Sequence, residues 1–244
     1  MILIDTASVS FDERDEFELL NAELSSLAAR RREQIDLLVE PYRRSKIAWK
    51  VAVLANAVVY RQIALAEGVA SSWNNANYLS AILNGRAMVE TAAFYWDFSK
   101  RFRELASIPD FRAVDALAMN SLFGTKDKEL LRDHPEHEAR QILKSIDLID
   151  RTVIPNFRSH YDGLSEFCHP NSYGHRGLFS KIDHDTGIAT FEARGSDRFV
   201  IPIKCALGTA AILAVSLNAA EAILPHFADA HHGAHPSPVV EDPR

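Results

Sequence analysis

The sequence predicts an all-α fold: a helical bundle of six or seven helices with a small β-hairpin insertion before the last helix. Three observations lead there. Apolar residues recur at spacings of three and four through most of the chain, the period of an amphipathic helix. The segments that carry them are long and joined by short connections, which favours antiparallel neighbours. One stretch differs: Gly177–Asp183 and Ile188–Ala193 alternate, carry β-branched and aromatic residues, and flank His184-Asp-Thr-Gly187, the pattern of a hairpin.

The elements follow in order. Ser10-Phe-Asp-Glu13 has the form of a capping box, and Phe17, Leu20, Leu24 and Leu27 then define a first helix expected to end near Glu40-Pro41. A second helix is expected from about Tyr42 to Glu67, with Ile47, Val51, Leu54 and Val58 on one stripe and Gly68 as its stop. A third extends from about Asn75 to Ala106, and a fourth from Asp110 to near Gly124. A short polar helix spans Lys126 to Arg132. After His134-Pro135 a further helix runs to about Val153, with Ile142, Ile146 and Ile149 inward. Pro155 opens the next. Phe199-Val-Ile201 reads as a third short strand, and a final helix runs from Pro202 to about Ala230. The simplest division is one helical domain over residues 1–230, with the hairpin insertion at about 176–201. The histidine- and proline-containing tail, 231–244, reads as disordered.

A chain of 244 residues is long enough to bury roughly 70–75% of its unfolded surface. With 27 basic and 33 acidic residues the formal charge is −6, which argues against a nucleic-acid coat but not against a local basic site. Arg30-Arg-Arg32 and Arg43-Arg44 read first as solvated helix faces. Cys168 and Cys205 are too few for a disulfide framework and read as thiols in a reducing compartment. The N-terminus lacks a basic leader, and Cys205–Ala220, though uncharged, is too rich in Ala, Ser, Thr, Gly and Asn for a membrane span of about twenty residues. A cytoplasmic protein with no membrane partner is the expectation.

Candidate chemistry concentrates at Tyr161-Asp-Gly-Leu-Ser-Glu-Phe-Cys-His169-Pro-Asn-Ser-Tyr-Gly-His175, a helix end opening into a polar loop. Asp162, Glu166 and His169 are spaced four and three apart and share a helix face, on which Asp162 reads as surface. The third helix supplies a possible partner. Between Asn75 and Ser99 its ionic residues are Arg86, Glu90 and Asp97, which fall on one narrow stripe of an otherwise apolar helix. Buried charges require partners. A plain Arg86–Glu90 pair, or a stripe open to water, would satisfy that requirement. The functional alternative places Arg86 as an anion clamp, Glu90 as an orienting carboxylate, and His169 as acid/base or ligand, with Glu166 beside it. His175, Arg176 and Tyr173 are candidate ligand contacts at the mouth of the hairpin, although His175-Arg176 also reads as a loop cap. Tyr161 reads first as core, and neither Ser165 nor Cys168 has the setting of a nucleophile.

The segments Asn77-Tyr-Leu-Ser-Ala-Ile-Leu-Asn-Gly-Arg-Ala-Met-Val-Glu90 and Tyr161-x-x-Leu-Ser-x-x-x-His169-Pro resemble a group of uncharacterised bacterial helical proteins. Those carry an Arg-x-x-x-Glu helix and a later Leu-Ser-x-x-x-His helix end, and are loosely related to the HEPN (higher eukaryotes and prokaryotes nucleotide-binding) superfamily. The matched segments cover about a quarter of the chain. The resemblance implies a helical bundle that binds or cleaves RNA or a nucleotide, with no established activity and no known cofactor. Superfamily ribonucleases use Arg-x(4–6)-His, for which Arg132-Asp-His-Pro-Glu-His137 is a formal match interrupted by Pro135.

Two other classes stay open. Glu166-x-x-His169 is half of a di-iron pattern, and with Glu90 and His175 it could complete a mononuclear site, but no metal ligand is assigned. A non-catalytic homodimer would use Leu178, Ile182 and Ile188 of the ribbon against a second copy.

Overall fold

The computed structural model describes residues 1–108, 110–192 and 196–235. The all-α class with a two-stranded ribbon before the last helix holds. Eight α-helices lie among the described residues: α1 (Arg14–Ala28), α2 (Lys46–Asn74), α3 (Tyr78–Ala106), α4 (Phe111–Phe123), α5 (Lys128–Asp133), α6 (Ile142–Thr152), α7 (Phe157–Cys168) and α8 (Val200–Ala234). The short α5 accounts for the one beyond the expected seven. Strands β1 (Ser180–Ile182) and β2 (Ala189–Phe191) pair antiparallel, with Lys181 opposite Thr190.

Backbone contacts group the chain into two compact units. The first comprises Met1–Arg31, Val59–Phe94 and Ile142–Leu213; the second comprises Arg32–Val58, Tyr95–Gln141 and the chain from Ala214 onward.

In the first unit, α1, α6, α7, the ribbon and parts of α2, α3 and α8 enclose Phe17, Ile63, Ile82, Met88, Ile146, Ile149, Leu164 and Leu207. Burying each such side chain contributes roughly 1.5–3 kcal/mol. Phe17, Trp73, Tyr78, Phe199 and Phe167 form a row of ring contacts, with centroids 6.1, 5.4, 5.7 and 5.2 Å apart. That row explains why Phe199-Val-Ile201 is not a strand. Phe199 is fully buried in the aromatic row, and Val200 begins α8. Gly68 does not stop α2. An added Cβ there would lie 2.9 Å from the Asn84 side chain, so the glycine lets α2 and α3 approach closely. Ser10 makes no capping bond, and Glu13 instead joins Glu16 in pairing with Lys204.

The second unit is built on Phe98, Phe102, Phe111 and Phe227, with ring centroids 5.6–6.1 Å apart. The first helix stops at Ala28, short of the expected end near Glu40. From Ala28 to Gln34 the sequence offers no large apolar residue to bury, and the backbone of Arg32 is instead held at both its N–H and C=O by the Asn56 side amide (3.0 and 2.9 Å). Likewise the segment after His134-Pro135 is not α-helical until Ile142, because Thr125 N–H bonds the His137 carbonyl and Thr125 C=O accepts from Ala139 N–H (2.8 Å each).

In α8, Ile203, Ala206, Leu207, Ala210, Leu213, Leu217 and Leu224 are all buried, at the spacing of one face. By length and composition α8 could cross a membrane, but half of its most apolar stretch is buried within the protein. It runs through His231 and His232 to Ala234; the rest of the tail expected to be disordered, 236–244, lies outside the described residues.

Candidate functional site

α7 buries Phe157, Tyr161 and Leu164, spaced four and three apart, and Cys168 continues the same stripe. The buried face of α7 therefore brings Tyr161 and Cys168 to Arg86 and Glu90 of α3. The Tyr161 hydroxyl accepts from Arg86 Nε and Nη2 at 3.3 and 3.1 Å and donates to Glu90 Oε1 at 2.8 Å. Arg86 Nε also lies 3.3 Å from Glu90 Oε1, and its guanidinium sits 5.5 Å from the Tyr161 ring centroid. Burial alone would lower the Arg86 pKa, but the Tyr161 hydrogen bond and the Glu90 charge raise it on balance. The Cys168 thiol is pushed up, chiefly by burial and against the pull of Arg86, so it stays protonated at neutral pH.

This cluster joins two of the expected site residues and adds two that sequence reasoning placed elsewhere. Tyr161 had read as core. Its role was signalled only by lying one and two turns before Leu164 and Cys168 on the face that meets α3. Asp97, the third member of the charged stripe, belongs to the second unit, where it pairs with Arg101 at 3.0 Å and Arg140 at 3.1 Å.

His169 and Glu166 are not in the Arg86 cluster. His169 is exposed at the end of α7, in extended backbone, and among the described residues nothing hydrogen-bonds its imidazole. No hydrogen bond or ion pair joins it to Arg86 or Glu90. The physical reason is angular: successive helical residues diverge by about 100°, and Cys168 takes the inward direction. Glu166 Oε2 instead accepts from Asn171 Nδ2 at 2.8 Å. Asn171 Oδ1 in turn accepts from the backbone N–H groups of Tyr173 and Gly174 at 2.9 and 3.0 Å. Asp162, as expected for surface, pairs with Arg158 at 2.8 Å.

Glu166 and Asn171 thereby fix the turn that enters a single π-helical turn, Tyr173–Gly177. Gly174 is packed so tightly that an added Cβ would sit 2.0 Å from the His169 carbonyl oxygen. The π-turn, the ribbon and the turn after it enclose a cleft of about 350 Å³. Its lining includes Tyr173, Arg176, Lys181, His184 and Arg198, together with the hydroxyls of Ser172 and Ser180. The described lining residues include no carboxylate. Arg198 Nη1 donates to the Gly177 carbonyl at 3.2 Å, tying the far wall to the π-turn. The ribbon turn that carries His184 is ordered by Asp183, whose Oδ1 accepts from the N–H groups of Asp185 and Thr186. Those backbone bonds, Thr186 first, hold the Asp183 carboxyl below its ordinary range.

Of the expected ligand contacts, Tyr173 and Arg176 line this cleft and His175 does not. Lys181, His184 and Arg198 were missed. They are scattered along strand, turn and loop, so no spacing rule links them until the ribbon folds. Leu178, expected on the outer face of the ribbon, is 3% exposed, since it precedes β1 and packs inward, whereas Ile182 and Ile188 are exposed. Arg132 and His137 lie on opposite sides of the break at Pro135, one ending α5 and the other in a 3-10 turn.

Comparison of the chain with protein-family models, with curated proteins and with solved structures gave no match.

Proposed function

We propose that this protein binds a phosphorylated ligand, a nucleotide or the backbone of RNA, in the cleft between the π-turn and the ribbon. One observation carries the reading: Arg176, Lys181 and Arg198 line one concave surface with His184 and three hydroxyl-bearing residues, with no carboxylate among the described lining residues. In a chain of net charge −6, three cations gathered in one cleft form a local anion site. Arginine supplies paired donors to phosphate oxygens, and serine and tyrosine hydroxyls add neutral ones. The Tyr173 ring, 54% exposed beside these donors, offers a face on which a base can stack. A volume of about 350 Å³ is at the small end for ligand sites, fitting one nucleotide unit better than a long footprint.

Binding is favoured over cleavage by the state of Arg86. Its Nε and Nη2 donors are engaged by Tyr161 and Glu90 balances its charge, so it is poorly placed to stabilise a developing phosphorane. Arg86, Glu90 and Tyr161 instead hold α7, whose end carries Glu166 and the start of the cleft. Among the histidines, His184 lines the cleft, whereas His169 lies outside it at the end of α7.

The test is direct titration of AMP, ATP and a short labelled single-stranded RNA, comparing the natural protein with Arg176→Ala, Lys181→Ala and Arg198→Ala. Each substitution is expected to weaken binding by about tenfold and to reduce the slope of log K against log salt by about 1. Unchanged affinity and salt slope in the triple variant would reject the cleft as the binding site.

A further inference from the structure

We infer that His134, Glu136 and His137, in the second unit, form a binding site for a divalent transition metal, with Zn²⁺ the best chemical match. His134 Nδ1 lies 3.3 Å from Glu136 Oε1, and His137 Nε2 lies 3.9 Å from the same oxygen. One ligand atom from each residue falls within 4.8 Å of the others. Bonds of about 2.0–2.2 Å in a tetrahedral site place ligand atoms about 3.3–3.6 Å apart. The three groups therefore need to close by up to about 1.5 Å, which χ rotations of the exposed His134 and Glu136 and the half-buried His137 can supply. Two imidazoles and one carboxylate form a donor set that suits zinc and leave at least one position for water.

The backbone that presents these residues is already fixed. Pro135 sets φ within the 3-10 turn, and His137 N–H bonds the His134 carbonyl at 3.1 Å. Asn120 Nδ2 donates to the carbonyls of Glu136 and Glu138 at 2.8 and 3.1 Å, and Thr125 N–H bonds the His137 carbonyl at 2.8 Å. Metal binding thus has little backbone entropy to overcome. Glu136 also lines a cleft of about 550 Å³ with Asn120, Glu138 and Arg140, which gives exogenous ligands room beside the site.

One feature sets the expected strength. The buried His137 Nδ1 has no hydrogen-bond partner among the described residues, so the ring is positioned by packing against Phe123 at 5.9 Å. Metal-bound imidazoles that lack an outer acceptor bind about 10–100-fold more weakly. The site is therefore expected to bind zinc less tightly than a closed structural site does.

The experiment is calorimetric titration of ZnCl₂ into the tag-free, metal-stripped full chain. One zinc is expected per chain, with affinity falling at least about 100-fold in His134→Ala/His137→Ala and about tenfold or more in Glu136→Gln. The rival site is His231 and His235, whose rings are 5.4 Å apart at one-turn spacing. Retention of the single zinc in His231→Ala/His235→Ala supports the inference. Undiminished zinc affinity in His134→Ala/His137→Ala, loss only in the His231/His235 variant, or no zinc binding by the natural chain would each overturn it. Glu136→Gln keeps the size of the side chain, so its result stands even if the double histidine variant loses its fold.

Discussion

Replacing Tyr161 with phenylalanine removes a single oxygen while keeping the buried ring and its 5.5 Å stacking with the Arg86 guanidinium. That oxygen links both charged partners, at 3.1 and 3.3 Å from Arg86 and 2.8 Å from Glu90. A hydrogen bond to a charged group contributes about 1.5–3 kcal/mol, but the full sum does not apply here. Arg86 and Glu90 keep 31% and 30% side-chain exposure, so water can replace part of what is lost. Their direct contact at 3.3 Å also survives. The expected cost is therefore about 1–2 kcal/mol. Urea denaturation followed by circular dichroism should show a lower midpoint at unchanged slope, and the melting temperature should fall by about 2–8 °C. A double-mutant cycle with Glu90→Gln should return a coupling energy of about 0.5–1.5 kcal/mol. A Tyr161→Phe variant within about 0.3 kcal/mol of the natural protein, or strict additivity in the cycle, would show that the cluster does not hold α7 to α3.

Two further outcomes are expected. Gly174→Ala places a carbon 2.0 Å from the His169 carbonyl oxygen, a backbone atom that cannot swing away; stability should fall by about 2–3 kcal/mol, and binding in the cleft should weaken with it, as denaturation and titration would register. His231 is held below its ordinary value of 6.5, chiefly by burial and further by His235 and His232, against opposing contributions from Arg44 and Asp115. The unfolded chain then binds the proton more readily than the folded one, so the stability that His231 contributes is complete above pH 6.5 and is lost as pH falls below it. Denaturation midpoints between pH 7.5 and 5 should decline less steeply in His231→Gln, and equal slopes in both proteins would contradict the assignment.

Parts of the architecture were legible because they rest on local periodicity. Ile146 and Ile149 of α6, and Tyr161 and Leu164 of α7, repeat at helical spacing and are buried as that spacing requires. The hairpin announced itself through alternation around His184-Asp-Thr-Gly187, although only three residues of each strand pair. Errors arose where a local signal had a tertiary use. Gly68 looked like a helix terminator and is a contact point for Asn84. Phe199-Val-Ile201 has strand composition, yet burial of Phe199 against Tyr78 and Phe167 decides its conformation.

The sequence by itself determined the helical class, the ribbon, and the pairing demand of Arg86 and Glu90, since each depends on neighbours one or two turns away along the chain. Only the tertiary structure decided what meets those charges. Glu90 and Arg86 are closed off by Tyr161, seventy-odd residues later, and not by His169, because the inward direction at the end of α7 belongs to Cys168. The same holds for the basic cleft. Arg176, Lys181 and Arg198 share no period, so their common surface exists only once the π-turn and the ribbon have folded beside each other.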